Sequence, residues 1–571
     1  MLYYFFIILI RNLNAIYTHY TMKKTLTFIF INIILSFNLS SQISDGGSPF
    51  SFSNVYRGTI DEINISAPTP KQIQSATLSN KTEYCIGILS NTSISSNNNG
   101  TWVIHPDGSR SWFLKIKSPG AIGLTLHYDH FHIPDGGGMF LYNQNNNQII
   151  GKFTSLRNSN NPITHTQIIQ GETTILEYHE NANTQGKFSI EINKIGYVFR
   201  GFEDYLSPFV NPKDINNINS KADNCQIDVA CNPESNGWSS QIDAVIHYTF
   251  TQGNLLYVCS ASTINNTAQD CTPFILTAWH CGEASANQNL SGYTWYWNYQ
   301  KSTCQPNSNG TDPSKGNETM INGTVRASSG SGTLNNPPGN NQVAGSDFTL
   351  IELGSSIPTS YNAYYAGWDR NNSAASSGVT IHHPDGSAKK ISTYTSSLNS
   401  ATYNGGAYQD HWAVNWDATQ NGHGVTEGGS SGAPIFNQNG RVVGQLSGGS
   451  SFCSSPNNSD LYGKFSTNWV DNGNSNGSRL KPWLDPSSSN VTFLDGTYAP
   501  CGSTGLSCSM NPSSSTINAG GTINFTGTSS ASTNTWSWNF DVNGLGGVSP
   551  TTSTQQNPNG ITYSSPGSYD V

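Results

Sequence analysis

The chain has 571 residues, enough for several domains rather than one. Only 11% of the residues are charged, yet 35% are apolar and 56 are glycine, so cores can be buried and wholesale disorder is excluded. The polarity comes from Asn, Ser, Thr and Gly, which favours strands and turns over long surface helices, and a net charge of −9 argues against nucleic acid as the main partner.

The chain order begins with Met22-Lys23-Lys24, a short basic start before the apolar run Thr25–Leu35. The small residues of Ser36–Gln42 follow, and together these read as a secretory signal peptide, too short for a membrane span. Met1–Thr21 holds a second apolar patch without a basic start. It reads as an upstream extension, with a long signal peptide as the alternative, so residues 1–41 are assigned to extension plus signal. Later stretches never approach a spanning length. The mature chain is therefore expected to be secreted and extracellular, with no membrane span, and its 10 cysteines are free to form disulfides.

Residues 42–221 carry short alternating runs, among them Trp112–Lys117 and Gly138–Tyr142. Turn clusters at Pro106–Ser109 and Pro134–Gly137 separate them, which predicts an antiparallel β-sandwich. Within it, His127, Asp129, His130 and His132 invite a metal reading. On a strand, however, 127 and 129 face away from 130 and 132, and a plain strand without metal is expected. Residues 222–498 are denser in Trp, Cys and His. Residues 499–509 form a Gly/Ser-rich linker, and 510–571 return to strands and turns with no ionisable cluster.

Three segments carry chemistry. Ile275–Cys281 is an apolar strand that ends in His280. Gly345–Leu353 places Asp347 at the head of a half-buried strand, and Glu427–Pro434 is a glycine-rich turn around Ser431. A serine hydroxyl is a poor nucleophile and needs an adjacent base, which in turn needs a buried carboxylate to hold its tautomer. Small residues around Ser431 let a carbonyl approach backbone N–H groups. Each segment alone is compatible with plain structure; the chain order His…Asp…Ser is far more specific.

Across Cys225–Gly496 the sequence resembles the bacterial lysyl endopeptidases of the chymotrypsin-like clan. The resemblance rests on Asn265–Ala268, Trp297–Gln300, Ser346–Leu350, Ala366–Arg370, Ile381–Pro384, Gly429–Gly432 and Trp483–Pro486. It implies a chymotrypsin-like double β-barrel, and with the β-sandwich-like region before it, read as a pro-domain, and a further β-rich domain after it the expected fold class is all-β. It also implies a serine endopeptidase with His280 as base and acid, Asp347 as its orienter and Ser431 as nucleophile, the oxyanion hole being the N–H groups of Gly429 and Ser431. The trypsin-like pocket acid would fall on Val425, which cannot hold a cation. The resemblance points instead to Asp460 as a lysine-binding pocket base. Where the family carries a stacked histidine and tryptophan, this chain has Ser447 and Tyr403, which puts any special reactivity of that pair in doubt. The implied disulfides are Cys225–Cys453, Cys231–Cys304 and Cys259–Cys281. Cys501 and Cys508 are assigned to a small linker loop, and Cys85 and Cys271 have no family partner. His382-His383 is expected to be structural.

The last segment resembles an immunoglobulin-like PKD-type domain through Ala519–Phe525, Trp536–Asp541 and Pro566–Val571. The chain is expected to stop inside it, so the sequence reads as a fragment. Ser430, directly before the nucleophile, is uncharged, so the zymogen switch of trypsin-like enzymes, which needs an aspartate there, is unavailable. Self-cleavage at Lys221–Ala222 is expected to release residues 42–221 as a pro-domain, with Lys213 the rival site. Polypeptide substrates, the chain's own pro-domain and a polymeric surface ligand for the PKD-type piece are the expected partners, with no cofactor. The readings left open are a catalytically silent adhesion protein and mixed Lys/Arg cleavage.

Overall fold

The computed structural model describes residues 46–53, 58–78, 83–146, 148–158, 163–184, 186–201, 222–304, 318–330, 345–403 and 409–499. Beyond these it describes 501, 508–512, 516–529, 536–541, 546–567, 569 and 571, with 508–512 and 528–529 as backbone alone. The signal peptide, Lys213 and Lys221 lie outside the described residues. Strands dominate, as expected for an all-β chain, and no helix among the described residues is long and apolar enough to cross a membrane.

Fifteen strands matter for the site. Three belong to the N-terminal region: β1 (Tyr84–Ser95), β2 (Gly123–His132) and β3 (Ser189–Val198). Six follow: β4 (Val245–Gln252), β5 (Leu255–Thr263), β6 (Phe274–Ala278), β7 (Asn289–Tyr296), β8 (Thr319–Ser328) and β9 (Phe348–Glu352). The last six are β10 (Gly378–His382), β11 (Lys390–Tyr394), β12 (His411–Val414), β13 (Pro434–Asn437), β14 (Val442–Gly449) and β15 (Asp460–Lys464).

The middle six close on themselves. Hydrogen bonding runs β4-β7-β8-β9-β6-β5, and β5 returns to pair with the whole of β4, from Leu255↔Gln252 to Ser262↔Val245. Apolar runs such as Phe274–Ala278, buried at every position, suit strands covered on both faces. The last six strands form the path β11-β10-β13-β14-β15-β12, flanked by Ile227–Asp228 and Asn399–Ala401. One core joins the two halves, with Leu276, Phe348 and Leu350 from the first against Trp368, Ile381, Phe436 and Val442 from the second.

The N-terminal region has two sheets, as a sandwich requires. One is built on Arg110–Lys117, Thr173–Glu180 and Gly137–Asn143. The other, β1-β3-β2, does not stop at the module boundary expected near residue 221. Its β1 pairs antiparallel with the first half of β5, Leu255↔Ile88 to Val258↔Tyr84, so the sheet runs on into the closed barrel. The sequence carries no local sign of this, because the two strands are patterned independently. The histidine-rich run lies in β2, where the His127 ring stacks on His165 with centroids 5.7 Å apart.

Pro500–Val571 form a separate unit. Its short strands enclose Phe525, Trp538, Phe540, Val548, Ile561 and Tyr563.

Candidate active site

Strand β6 ends at Ala278, and the chain turns so that His280 meets Asp347 at the head of β9. The His280 backbone N–H donates to Asp347 Oδ1 at 2.9 Å, and Nδ1–H donates to Oδ2 at 2.8 Å. Asp347 is fully buried at φ +58°, a left-handed conformation that aspartate tolerates better than most residues. The carbonyl of Ser346 before it accepts from Gln445 Nε2 at 2.6 Å, which anchors the strand head to the second half. Cys281, the next residue after the histidine, is bonded to Cys259 in β5.

With Nδ1 committed, the basic nitrogen of His280 is Nε2, which has no hydrogen-bond partner among the described residues. Burial pushes this imidazole down, but the charge and hydrogen bond of Asp347, with smaller contributions from Glu83 and Glu283, raise it above its ordinary value. Glu83 belongs to the N-terminal region, directly before β1.

The Ser431 turn is laid onto the end of β6. Ser260 N–H donates to Ser431 O at 2.8 Å, and Gly432 N–H donates to Leu446 O at 2.9 Å. Gly432 has φ +83°, and a Cβ there would sit 2.2 Å from Thr277 Oγ1 and 2.9 Å from Ala278 N. Only glycine permits this approach, which brings the serine turn against the strand that delivers His280. Among the described residues, neither the N–H of Gly429 nor that of Ser431 has an acceptor.

Asp460 opens β15 and is fully buried. Its Oδ2 accepts from Trp416 Nε1 at 2.7 Å, Thr426 Oγ1 at 2.7 Å and Ser451 Oγ at 2.5 Å, and Oδ1 accepts from Ser451 N–H at 3.1 Å. Burial raises its pKa against these four neutral donors. Gly449 faces it closely enough that a Cβ would meet Oδ1 at 1.9 Å. Val425 is buried, and its carbonyl accepts from Gln226 Nε2 at 3.0 Å.

Ser447 and Tyr403 come together around a residue that the sequence reading missed, His411. Ser447 Oγ lies 3.0 Å from His411 Nε2, His411 Nδ1 donates to Asp410 Oδ1 at 2.6 Å, and the Tyr403 ring centroid is 5.3 Å from the imidazole. The adjacent Asp410-His411 pair was the available signal. Burial and then the charge of Asp347 raise the Tyr403 phenol, which puts Tyr403 within electrostatic reach of the His280–Asp347 pair.

All three implied disulfides form: Cys225–Cys453, Cys231–Cys304 and Cys259–Cys281. Cys271, left without a partner by sequence, is disulfide-bonded, and so is Cys501; the side chain of Cys508 lies outside the described residues. Cys85 is free and buried. Asp223, Glu427 and Cys453 approach one another, but the Cys453 sulfur is already bonded to Cys225, so they are not a metal-ligand set.

A closed six-stranded barrel, a buried His–Asp pair and a serine turn with two open amides are parts that a serine endopeptidase needs, and the likeness to known proteins makes this chain a serine endopeptidase. The family described as lysyl endopeptidase, C-terminal domain, matches residues 219–463. A lysyl endopeptidase of Pseudomonas aeruginosa is 26% identical over 391 residues, spanning 64% of this chain and 75% of that protein. Among solved structures, the protease Anisep from Arthrobacter nicotinovorans shares 16% identity over 39% of this chain and 90% of its own, with a TM-score of 0.26. Mouse neuropsin shares 17% over 42% and 94%, also at 0.26.

Proposed function

We propose that this chain is the precursor of an exported serine endopeptidase that cuts polypeptides after lysine. In this reading His280 Nε2 takes the Ser431 hydroxyl proton as Oγ attacks the scissile carbonyl, and Asp347 holds the imidazole and stabilises its cation. The N–H groups of Gly429 and Ser431 receive the oxyanion. His280 then protonates the leaving amine, and water frees the acyl group by the same steps in reverse order. The three disulfides and the likeness to a lysyl endopeptidase support export.

Lysine preference rests on one observation: a fully buried Asp460 carboxylate whose recorded partners are all neutral donors. An ionised carboxylate in such a place is costly unless a cation pairs with it, and a lysine ammonium would supply that pairing. The neutral donors keep the carboxylate oriented while the pocket is empty. Val425 offers no competing charge.

The N-terminal region, residues 42–221, fits a pro-domain, because β1 lies along β5 beside the site and Glu83 acts on His280. Release by self-cleavage at Lys221–Ala222 belongs to the same proposal. So does a PKD-type fold for 510–571, in the role of a spacer or a binder of polymeric substrate. The test is digestion of a denatured protein with purified enzyme and mass mapping of the new C-termini. Lysine at nearly every terminus is expected; arginine in comparable amounts overturns lysine specificity, and no cleavage overturns the enzyme.

A further inference from the structure

His382 ends β10 and His383 follows it, both buried in the second half of the molecule. His382 and Ser430 are both fully buried, with Nδ1 and Oγ 2.8 Å apart. The Ser430 hydroxyl already accepts the Glu427 N–H at 3.2 Å. On the far side of the ring, His382 Nε2 lies 3.3 Å from Ser392 Oγ, and that hydroxyl donates to Val425 O at 3.3 Å.

Only one set of proton positions satisfies every group. Ser392 spends its proton on Val425, so Nε2–H of His382 donates to Ser392, and Nδ1 is left to accept the Ser430 proton. The result is a directed chain from the Glu427 N–H through Ser430, His382 and Ser392 to the Val425 carbonyl. It ties the start of the serine turn to β10 and β11 and to the segment just ahead of the turn. The chain needs a neutral imidazole, and burial, aided by Lys390, holds His382 down at about 3.

The turn that follows His382 grips the same loop. Asp385 N–H donates to Gly428 O at 2.5 Å, and Ser260 Oγ accepts from His383 N–H and donates to Gly429 O, both at 2.9 Å. In a trans peptide the carbonyl and the following N–H point in opposite directions. Pinning Gly428 O therefore sets the Gly429 N–H on the opposite side. In the same way Ala433 N–H, donating to Ser430 O at 2.9 Å, sets the N–H of Ser431. These are the two open amides of the serine turn.

We infer that His382 is a positioning residue for the oxyanion hole, acting through the Ser430 hydroxyl, with the turn His383–Gly386 fixing the Gly428–Gly429 peptide. The inference rests on the serine-peptidase reading above. It assigns to His382 and Ser430 the fixing of the loop that trypsin-like enzymes obtain from a charged aspartate before the nucleophile.

The test uses the mature enzyme with Ser430→Ala, His382→Leu and His382→Asn, the last keeping an acceptor near the Nδ1 position. All rates are taken per active site titrated with a phosphonate, so misfolded material does not count. Loss of one oxyanion donor outright costs on the order of 10²–10³ in kcat, so loosening the loop should cost ~10–100-fold in Ser430→Ala and His382→Leu. KM for a lysyl ester should stay within about twofold, and a peptide aldehyde, which forms the oxyanion, should lose affinity in parallel with kcat. A ground-state lysine amide should not. His382→Asn should recover most of the rate. Wild-type kcat per titrated site in Ser430→Ala, or equal losses for aldehyde and amide, overturns the positioning role while leaving the peptidase standing. A wild-type enzyme that neither hydrolyses the ester nor reacts with the phosphonate overturns both.

Discussion

Tyr84 lies over Gly428: a Cβ on that glycine would meet the tyrosine ring at 2.7 Å. The same tyrosine pairs in register with Val258 of β5, and the Arg200 guanidinium sits 4.0 Å from its ring centroid while its Nε donates to Cys85 O at 2.6 Å. A side chain of the N-terminal region is thus clamped onto the serine turn itself. In a precursor kept whole by Lys221→Gln, labelling of Ser431 by a lysyl phosphonate should be slow. Tyr84→Ala should speed it roughly tenfold, the effect of losing about 1.4 kcal/mol of contact. Unchanged labelling would mean that the tyrosine covers nothing the probe needs.

The pH behaviour of His280 has a definite sign. Burial lowers its pKa, but Asp347 and then Glu83 and Glu283 win, so the native value lies above the ordinary 6.5. A group raised in this way stabilises the fold fully below 6.5, and the contribution fades as pH rises through the native value. Catalysis needs the free base, so the acid limb of kcat/KM should lie above 6.5 as well. In the Ser431→Ala precursor, Glu83→Gln removes one anion and should move the His280 titration, followed by NMR, to lower pH. No movement would separate Glu83 from the site.

Asp460→Asn should cut kcat/KM on lysyl substrates by ~10²–10⁴-fold, the equivalent of the roughly 3–5 kcal/mol lost when a buried charge pair is broken. An ester without a basic side chain should lose less than about threefold, because nothing in its pocket reads the charge. Parallel losses on both substrates would make Asp460 a structural residue.

Glu427 gives a second pH signature. Burial, with Asp223 adding to it, pushes its carboxyl from 4.5 to about 7. A raised carboxyl favours the fold below 4.5, and this is lost as pH rises through about 7. The Asp223 N–H lies 3.3 Å from both Glu427 oxygens, and Ala222 N–H donates to Ser387 Oγ at 3.1 Å. Cleavage before Ala222 would turn that amide into an ammonium next to the acid and pull its pKa down. Tm should therefore fall between pH 4.5 and 7 in the Ser431→Ala precursor and stay flatter in the mature form. Identical curves would place the new terminus away from Glu427.

The local settings of the candidate residues were legible in continuous text: His280 just after a strand end, Asp347 at a strand head, Ser431 among glycines. The three disulfides were legible only through resemblance, because ten cysteines allow too many pairings. What sequence could not give is contact between strands far apart in the chain. A His-His-Pro run says nothing of Ser430, and His411 reads as one polar residue on a strand until Ser447 and Tyr403 close on it. Ser260, which holds the serine turn by backbone and hydroxyl alike, sits in a strand with no motif. The pairing of β1 with β5 escaped for the same reason: each strand satisfies its own alternation whatever lies at its edge.

Cys85 stands opposite Tyr257 in that pairing, two positions along β5 from Cys259. Burial pushes its thiol up to about 11, so at pH 7 only about one in ten thousand is ionised. This thiol, the one free cysteine among the described residues, is therefore silenced as a nucleophile toward the Cys259–Cys281 bond for as long as β1 stays docked. Detachment of β1 from β5 would release both protections together, exposing the thiol and returning it to an ordinary acidity. The rate at which Cys85 accepts an alkylating reagent is accordingly a clock for the undocking of the N-terminal region. It can be read in the intact chain without a substrate and without any change to the site.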